Sequence, residues 1–513
     1  MKPVSKKIIG IALLLLLLVL FLAVFANSMT KPVGRDEQMY CTAAALMAQG
    51  KTIYQDFSYP SQMPYHPLLC AAVYKISGTT NYLLYARLIS VLSNILTILC
   101  IIAIYRKIFK SYSASGMVLG LAAAAIYVFN PFVEYSNGYA WNHDIVIALV
   151  SLSLWLFIST DFKAKPQHLR IAAIAALLTL ATCMRITTAL VELVFFAALL
   201  TAPSDSHTNR FKRLLPFLTA SAVILIWPIS IIARNPQVFY LNLVKIPTLY
   251  GQWLHSVGIV HNKLQLITAG IFTPGYLILI AIAAYLGITS LILRKKNKAT
   301  NTPATLLPWL LVATFIIIAL IPPTLWRQYL AMPVPFLVIA LAYPLLQLRK
   351  MATPTHYKIA CTLITVCVII ATGNNPKVLS IIPTAFKPQN YKPTQTHKIT
   401  QDIAEKVKEP KRLLTLGPLY ALQANCDIYP QLSAGSIVYR IGDNLPPEER
   451  KLTNTVGVET LKDMIDSEAP SAVLLKVEPS YFAFLEEPLK KTIKPDWKKK
   501  TYPNGLILYY DDQ

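Results

Sequence analysis

The chain has 513 residues, 55% of them hydrophobic and only 14% charged, which is too apolar for one soluble globule. A formal net charge of +23 would suit a nucleic-acid binder. The visible basic clusters lie instead in short segments between apolar runs, where Lys and Arg mark cytoplasmic loops and attract anionic lipid, so membrane lipids and not nucleic acid are the expected partners. The seven cysteines show no CxxC pair and no His-Cys metal spacing, which indicates neither a zinc site nor a disulfide framework, although Cys41 and Cys70 share one loop where a pairing remains open.

Lys2, Lys6 and Lys7 precede an apolar run over residues 8–26, too long for a signal-peptide core and without a clear small-residue cleavage site before Thr30 and Lys31. It reads as a retained first span that starts inside. The positive-inside rule then puts residues 27–81 outside, in the periplasm or an equivalent lumen. Residues 36–49 carry Met39, Tyr40, Ala43, Ala44, Leu46 and Met47 at helical spacing and stop at Gly50, the pattern of an amphipathic helix lying on the membrane. That helix opens with Asp36-Glu37. From Tyr54 to Leu68 the chain is punctuated by Pro60, Pro64 and Pro67, and long irregular outer loops are uncommon unless they are functional.

The next spans read as residues 82–105, 116–132 and 145–159, separated by the basic Arg106, Lys107 and Lys110 and by a short outer turn over 134–144. Residues 161–170, with Lys163 and Lys165, return to the cytoplasm. Residues 171–201 form an apolar run with Arg185 in its middle, either one tilted span or a hairpin of two short ones. A central Arg costs about 2.5–3.5 kcal/mol on insertion scales, so a single span would need a partner for it. Parity favours the hairpin: it keeps Arg210, Lys212 and Arg213, the Arg294–Lys298 cluster, and Arg349-Lys350 all inside, and it places Arg185 at the outer surface. Later spans fall at about 214–232, 268–293, 305–321, 329–346 and 357–372, about eleven in all.

From residue 373 to 513 the texture becomes mixed and polar, with strand-like runs at 412–416, 472–477 and 506–510 and helix-like runs at 398–408 and 458–467. That alternation suits a small α/β domain, which an odd span count puts outside. The expected fold is therefore a polytopic α-helical membrane protein: a multi-pass catalytic domain over residues 1–372 and a C-terminal extramembrane α/β domain over 373–513.

On the outer face, chemistry-bearing side chains gather from separate loops: Asp36, Glu37 and His66 from the first, His143 and Asp144 from the second, Arg185 from the hairpin, and Arg327 from the last. Each alone has an ordinary explanation. Asp36 can cap its helix with Glu37 favouring the dipole, Asp144 can cap the span it precedes, His66 can be a plain loop residue, and Arg327 can anchor at the interface. Their convergence on one face carries the signal.

The pattern resembles the polyprenol-phosphate-sugar-dependent GT-C glycosyltransferases, with most likeness to the protein O-mannosyltransferases and aminoarabinose transferases. The residues that carry it are Asp36-Glu37 after the first span, the stretch from Gly50 and Lys51 through Tyr54 to Phe57, His66-Pro67-Leu68, Arg87, Asn142-His143-Asp144, the Arg185 hairpin, and the run from Arg327 through Tyr329 to Pro333. The likeness covers essentially the whole membrane part. Two departures stand out. His66-Pro67-Leu68 replaces a Lys-Pro-Pro turn common in related enzymes, so a fixed loop cation becomes titratable, and Met184-Arg185 replaces Thr-Lys.

The resemblance implies transfer of a sugar from a polyprenyl-phosphate donor to a hydroxyl of a glycan, lipid or protein acceptor, with inversion. A sugar on a lipid phosphate already has a good leaving group, so such an enzyme needs one base for the acceptor and cations for the departing phosphate. Asp36 is the expected base, since a carboxylate near its reference pKa of about 3.9 is ionised at neutral pH. Arg185, Arg327 and Tyr329 are the expected phosphate-binding residues, guanidiniums offering paired donors to its oxygens. Glu37, His66, His143 and Asp144 are expected to support the site or orient hydroxyls, and a divalent cation held by Glu37, His66 or Asp144 is left open. The expected location is the inner (cytoplasmic) membrane, with the N-terminus cytoplasmic and the C-terminal domain periplasmic. Two competing readings remain. One is a transporter or flippase of a lipid-linked or anionic solute, which calls for charges near the bilayer midplane in two corresponding halves. The other is a membrane scaffold whose outer domain binds a partner.

Overall fold

The computed structural model describes residues 3–162, 167–203, 211–259, 262–297, 302–322, 325–350 and 354–511. Lys2, Lys163, Lys165, Arg210 and Lys298 lie outside the described residues.

The chain is built of helices. A first helix, α1 (Pro3–Thr30), takes up the long apolar run, and α2 (Arg35–Ala48) follows it after a four-residue turn. Then come α3 (Tyr65–Ser77), α4 (Tyr82–Ile108), α5 (Ser113–Val128), α6 (Pro131–Ser136) and α7 (His143–Ser159). Two short apolar helices, α8 (His168–Thr182) and α9 (Ala189–Thr201), are joined by a tight turn that carries Arg185, so the apolar run around it is a hairpin. The 15 residues of α8 rise only about 22 Å, against about 30 Å of hydrocarbon, which is why each arm reads as half of an over-long span. After α10 (Leu214–Arg234) the chain makes α11 (Pro236–Tyr240), a short π-helical turn, α12 (Ile246–Ser256) and α13 (Lys263–Ile271). The bundle is completed by α14 (Pro274–Asn297), α15 (Pro303–Leu320), a 3-10 turn over Arg327–Ala331, α16 (Val334–Ala340), α17 (Ala342–Lys350) and α18 (Pro354–Asn374). Among the described residues eight helices are long and apolar enough to cross a membrane, and the shorter apolar segments 143–159, 168–182 and 186–201 stand beside them.

The bundle core is a continuous apolar cluster running from Leu20 and Ala23 of α1 through Ile98, Ile101, Tyr127, Val150 and Leu178 to Phe315 and Phe336. Close van der Waals packing of this surface, rather than its removal from lipid, holds the bundle together, since lipid tails on the outside are as apolar as the side chains themselves. The exposed apolar residues on α1, α10 and α15, such as Leu14, Ile226 and Ile317, are what a lipid-facing surface calls for.

Beyond α18 a four-stranded sheet forms in the order β1-β2-β4-β3, from β1 (Leu413–Leu414), β2 (Ala472–Leu475), β3 (Lys498–Thr501) and β4 (Ile507–Tyr510). β1 and β2 are parallel, and the other pairs are antiparallel, with Val473 opposite Tyr509 and Lys499 opposite Tyr509 from the other side. This C-terminal segment sits directly on the first loop. Leu419 N–H donates to Gln38 Oε1 at 3.1 Å, Leu83 N–H to Gln423 Oε1 at 3.0 Å, and Asn454 Nδ2 to the Gln55 carbonyl at 3.0 Å. One consequence corrects the sequence reading. Helix α2 does not lie amphipathic on a membrane, because residues 37–46 are buried all round, sandwiched between the bundle and the C-terminal segment. Its small, mixed residues, Ala43, Ala44 and Ala45 among them, are what allow contact on every side.

Candidate active site

Helix α2 begins at Arg35 with Gly34 as its cap, so Asp36 does not cap it. Glu37 does the capping work by accepting the Gly34 N–H on Oε2 at 2.7 Å. Its carboxylate is then consumed entirely. Arg87 Nε donates to Oε1 at 2.8 Å, Arg87 Nη2 to Oε2 at 2.7 Å, and the Ala140 N–H to Oε1 at 2.6 Å. Arg87 spends its remaining donors on the carbonyls of Ser28, Lys31 and Pro32. Both side chains of the pair are 0% exposed. Glu37 is thus the peg that pins α1, α2, α4 and the α6–α7 loop together. Having no free oxygen, it is not available to orient an acceptor or hold a metal.

Asp36 is treated oppositely. It is half-buried, and among the described residues it has no hydrogen-bond or ion-pair partner. Enough protein surrounds it to push its carboxyl above the ordinary value, chiefly through burial with Glu37 adding, while Arg35 and Arg440 oppose the rise. Asp36 is thus a crowded carboxylate, unpaired among the described residues and still partly accessible.

One turn further along α2, Tyr40 packs edge-on against Tyr59 and His66, with ring centroids 5.9 and 5.2 Å apart. Burial raises its hydroxyl well above the ordinary value; the charge of Asp36 adds to this and Arg185 opposes it, so both stand within electrostatic reach of Tyr40. Arg185 in turn lies 4.8 Å from the Tyr329 ring centroid. Among the described residues the Arg185 guanidinium has no carboxylate partner. The hairpin is held in place from two sides. Asn142 Nδ2 donates both to the Met184 carbonyl and to Gln62 Oε1, each at 2.7 Å, and the Tyr65 N–H donates to the Cys183 carbonyl at 3.1 Å. Within the hairpin Glu192 accepts from Thr179 at 2.6 Å, Thr182 at 3.0 Å and Ser221 at 3.1 Å, which fastens α8, α9 and α10 to one another.

Asp36, Tyr40, Arg185 and Tyr329 therefore converge, and His66 borders them. His66 is buried, with Nε2 3.9 Å from Cys70 Sγ, and burial lowers its imidazole to about 3. At neutral pH it carries no charge, so the loop cation of related sequences is absent here rather than merely titratable. His143 is buried too, with Nε2 3.5 Å from Ser136 Oγ, and Arg185 lies within electrostatic reach of it. Asp144 turns away into a separate network, where Oδ2 accepts the Gly138 N–H at 2.7 Å and Lys31 is nearby. That arrangement needs glycine at 138: its φ is +89°, and a Cβ there would meet Ser28 at 2.9 Å. Arg327 is exposed and lies over the rings of Phe132 at 5.6 Å and Tyr135 at 4.9 Å, not beside Arg185. On a 3-10 turn positions i and i+2 face different ways, which sends Tyr329 inward and Arg327 outward.

The proposed metal candidates Glu37, His66 and Asp144 are not brought together. Among the described residues no group of three or more His, Cys, Asp or Glu is arranged to hold a metal ion. Glu37 is spent on Arg87 and Asp144 belongs to the Lys31 network, so the three do not fit one ion. Cys41 and Cys70 are both buried free thiols. Sequence reasoning missed Arg440, Glu478, Tyr250 and Trp253, which close over α2 from the C-terminal segment and α12. The available signal was faint: Tyr250 and Trp253 are an aromatic pair at helical spacing in the stretch between two expected spans.

The family model of the dolichyl-phosphate-mannose-protein mannosyltransferases matches residues 60–232, a stretch that begins after Asp36 and takes in Arg87, Asp144 and Arg185. A search of curated proteins gives no match. Among solved structures, ArnT from Cupriavidus metallidurans bound to undecaprenyl phosphate matches with a TM-score of 0.61 at 15% identity, covering 100% of each chain. The Archaeoglobus fulgidus oligosaccharyltransferase in its apo form matches at 0.54 and 12% identity, over 98% of this chain and 74% of that one. The same archaeal enzyme, AglB, in complex with an inhibitory peptide and a dolichol-phosphate matches at 0.52 and 12% identity over the same shares. Eleven apolar helical segments among the described residues, a first loop and C-terminal segment closed on each other, and these matches show that the chain shares the fold of the ArnT and oligosaccharyltransferase structures, with the mannosyltransferase family model matching within residues 60–232.

Proposed function

We propose that the protein transfers a sugar from a polyprenyl-phosphate donor to an acceptor hydroxyl at the outer face of the membrane, with Asp36 as general base and inversion at the anomeric carbon. The observation that carries this reading is the contrast within one acidic pair: Glu37 has every oxygen occupied, while Asp36 has no partner among the described residues and shares the neighbourhood of Tyr40 with Arg185, whose guanidinium has no carboxylate partner among them either. Structures with this fold hold undecaprenyl phosphate or dolichol-phosphate, which supports a lipid-phosphate donor here.

In the reaction Asp36 takes the proton from the acceptor hydroxyl as that oxygen attacks the anomeric carbon from the face opposite the phosphate. The anomeric C–O bond breaks, and polyprenyl phosphate leaves with the electron pair. Arg185 meets the phosphate oxygens with its paired N–H donors, and the Tyr329 ring holds the guanidinium in place by cation–π attraction. Positive charge developing on the sugar makes the attacking hydroxyl more acidic late in the reaction, so a carboxylate suffices as base. Arg327, exposed on the 3-10 turn and lying over Tyr135 of α6, would act on the lipid phosphate as it approaches. The membrane is read as the cytoplasmic one, with the C-terminal segment on its outer side, because the basic clusters then lie inside.

The test is purified protein in vesicles with a panel of polyprenyl-phosphate sugars and an envelope extract as acceptor. The expected result is release of polyprenyl phosphate with the sugar attached to the acceptor in inverted configuration. Movement of intact donor between leaflets without cleavage would instead support a transporter.

A further inference from the structure

The C-terminal segment reaches over the base. The helix Ser436–Tyr439 is followed by Arg440, which is buried and fixed from several sides. Its Nη2 donates to Glu478 Oε2 at 2.6 Å and its Nη1 to the Tyr250 hydroxyl at 2.9 Å, while its guanidinium lies 4.2 Å from the Phe482 ring and 5.2 Å from that of Trp253. Glu478 cannot swing away, because Oε1 is held by the Ser436 hydroxyl at 2.7 Å.

On the other side of the same carboxylate stands Arg35, with Nη1 3.9 Å from Glu478 Oε2. Arg35 also lies 5.2 Å from the Phe482 ring, and its Nη2 meets the Tyr481 hydroxyl at 3.4 Å. It is the residue directly before Asp36. Two guanidiniums, one opening α2 and one delivered from about four hundred residues away, thus share one carboxylate and one ring. They have donors to spare: Arg440 Nε and Arg35 Nη1 are buried without a hydrogen-bond partner.

The charged and titratable groups around Asp36 come from every neighbouring element. Arg35, Glu37 and Tyr40 are on α2, Tyr250 is on α12, Arg185 is in the hairpin, Tyr329 is on the 3-10 turn, and Arg440 is on the C-terminal segment. Glu37 is neutralised by Arg87, and Glu478 is divided between two cations. The cations that act on Asp36 are therefore Arg35 and Arg440. With no hydrogen-bond partner among the described residues, Asp36 depends on them to carry charge in crowded surroundings.

We propose that Arg440, braced by Tyr250 and Phe482 and joined through Glu478 to Arg35 beside Asp36, is a positioning residue for Asp36, which makes the C-terminal segment part of the catalytic machinery. The inference rests on the reading of Asp36 as base. Arg440 acts through Asp36 and not on the sugar.

The experiment reads Asp36 directly. A hydrophobic carbodiimide attacks protonated carboxyls, so the pH dependence of Asp36 labelling in the full-length protein, located by peptide mass spectrometry with Asp36→Asn as the blank, gives its protonation midpoint. In Arg440→Gln the midpoint is expected to rise by about one pH unit, the usual effect of losing a close opposite charge. In Arg440→Lys, which keeps the charge but not the paired contacts, it rises less. The acid limb of kcat should move upward in the same order while the donor KM holds. Should Arg440→Gln fail to fold, Arg440→Met, which still packs on Phe482 and Trp253, reads the same midpoint. An unmoved midpoint in a folded neutral variant overturns the proposal, and such a variant would then show Arg440 to be a packing residue only. The labelling needs no substrate. A wild-type protein that transfers no sugar would count against the proposed function, while the midpoint would still decide this inference.

Discussion

Arg87 grips Glu37 with two parallel hydrogen bonds, Nε to Oε1 at 2.8 Å and Nη2 to Oε2 at 2.7 Å, both side chains wholly buried. Breaking such a pair from one side leaves an uncompensated buried charge, which costs about 3–5 kcal/mol. Glu37→Ala and Arg87→Ala are therefore expected to lose most folded protein, seen as aggregation in size-exclusion chromatography in detergent, whereas Asp36→Asn elutes as the wild type does. A folded and stable Glu37→Ala would show that the pair does not hold the site together.

Asp36 gives a stability signature of its own. Its folded value is raised above the ordinary 3.8, so between 3.8 and the folded value the native state binds the extra proton. Stability then falls as pH rises through that window, and the penalty is fully present above it. Asp36→Asn should melt a few degrees above the wild type at pH 7, and the difference should vanish near the acid end of the window. Equal melting temperatures at pH 7 would mean that Asp36 is not held in a crowded, unpaired state.

Arg185 and Tyr329 make a separable prediction. Arg185→Gln should weaken binding of polyprenyl phosphate by roughly tenfold or more, the loss of one charge-assisted contact of about 1.5–3 kcal/mol. Tyr329→Phe keeps the ring beneath the guanidinium and should be nearly silent in donor affinity, whereas Tyr329→Leu removes it and should cost about 0.5–2 kcal/mol. Equal behaviour of the Phe and Leu variants in a lipid-phosphate binding assay would count against the cation–π support.

The hairpin that carries Arg185 is tied by Glu192, which takes hydroxyl donors from Thr179 and Thr182 of α8 and Ser221 of α10. Glu192→Leu leaves those hydroxyls without their acceptor, at a cost of about 1–3 kcal/mol, and loosens the turn. A lower melting temperature together with a raised donor KM is expected, and Glu192→Gln should recover much of both. A raised KM without any loss of stability would place Glu192 in the binding site instead.

The membrane architecture was readable because lipid demands long apolar runs, and charge parity alone turned the run around Arg185 into a hairpin. Asp36 was readable as a candidate base just beyond the first span, but the full engagement of Glu37 was not, since that depends on Arg87 fifty residues away. An arginine inside a span does signal a buried partner, and pairing Arg87 with the first acidic pair would have found it. Arg440 and Glu478 were illegible for a different reason: they meet α2 only through long-range packing that no local pattern encodes. Strand β3 was not among the strand-like runs because Lys498, Lys499 and Lys500 carry no apolar alternation, although lysine on an edge strand is a common guard against pairing with another chain.

The central claim, that Asp36 is the base, is tested most directly by the initial rate of sugar transfer in vesicles for wild type and Asp36→Asn, at donor saturation and with equal donor binding verified. A general base contributes roughly 10²–10⁴-fold, so the variant should bind donor normally and turn over slower by that factor. Transfer by a folded Asp36→Asn protein at a rate within a few-fold of wild type would contradict the account.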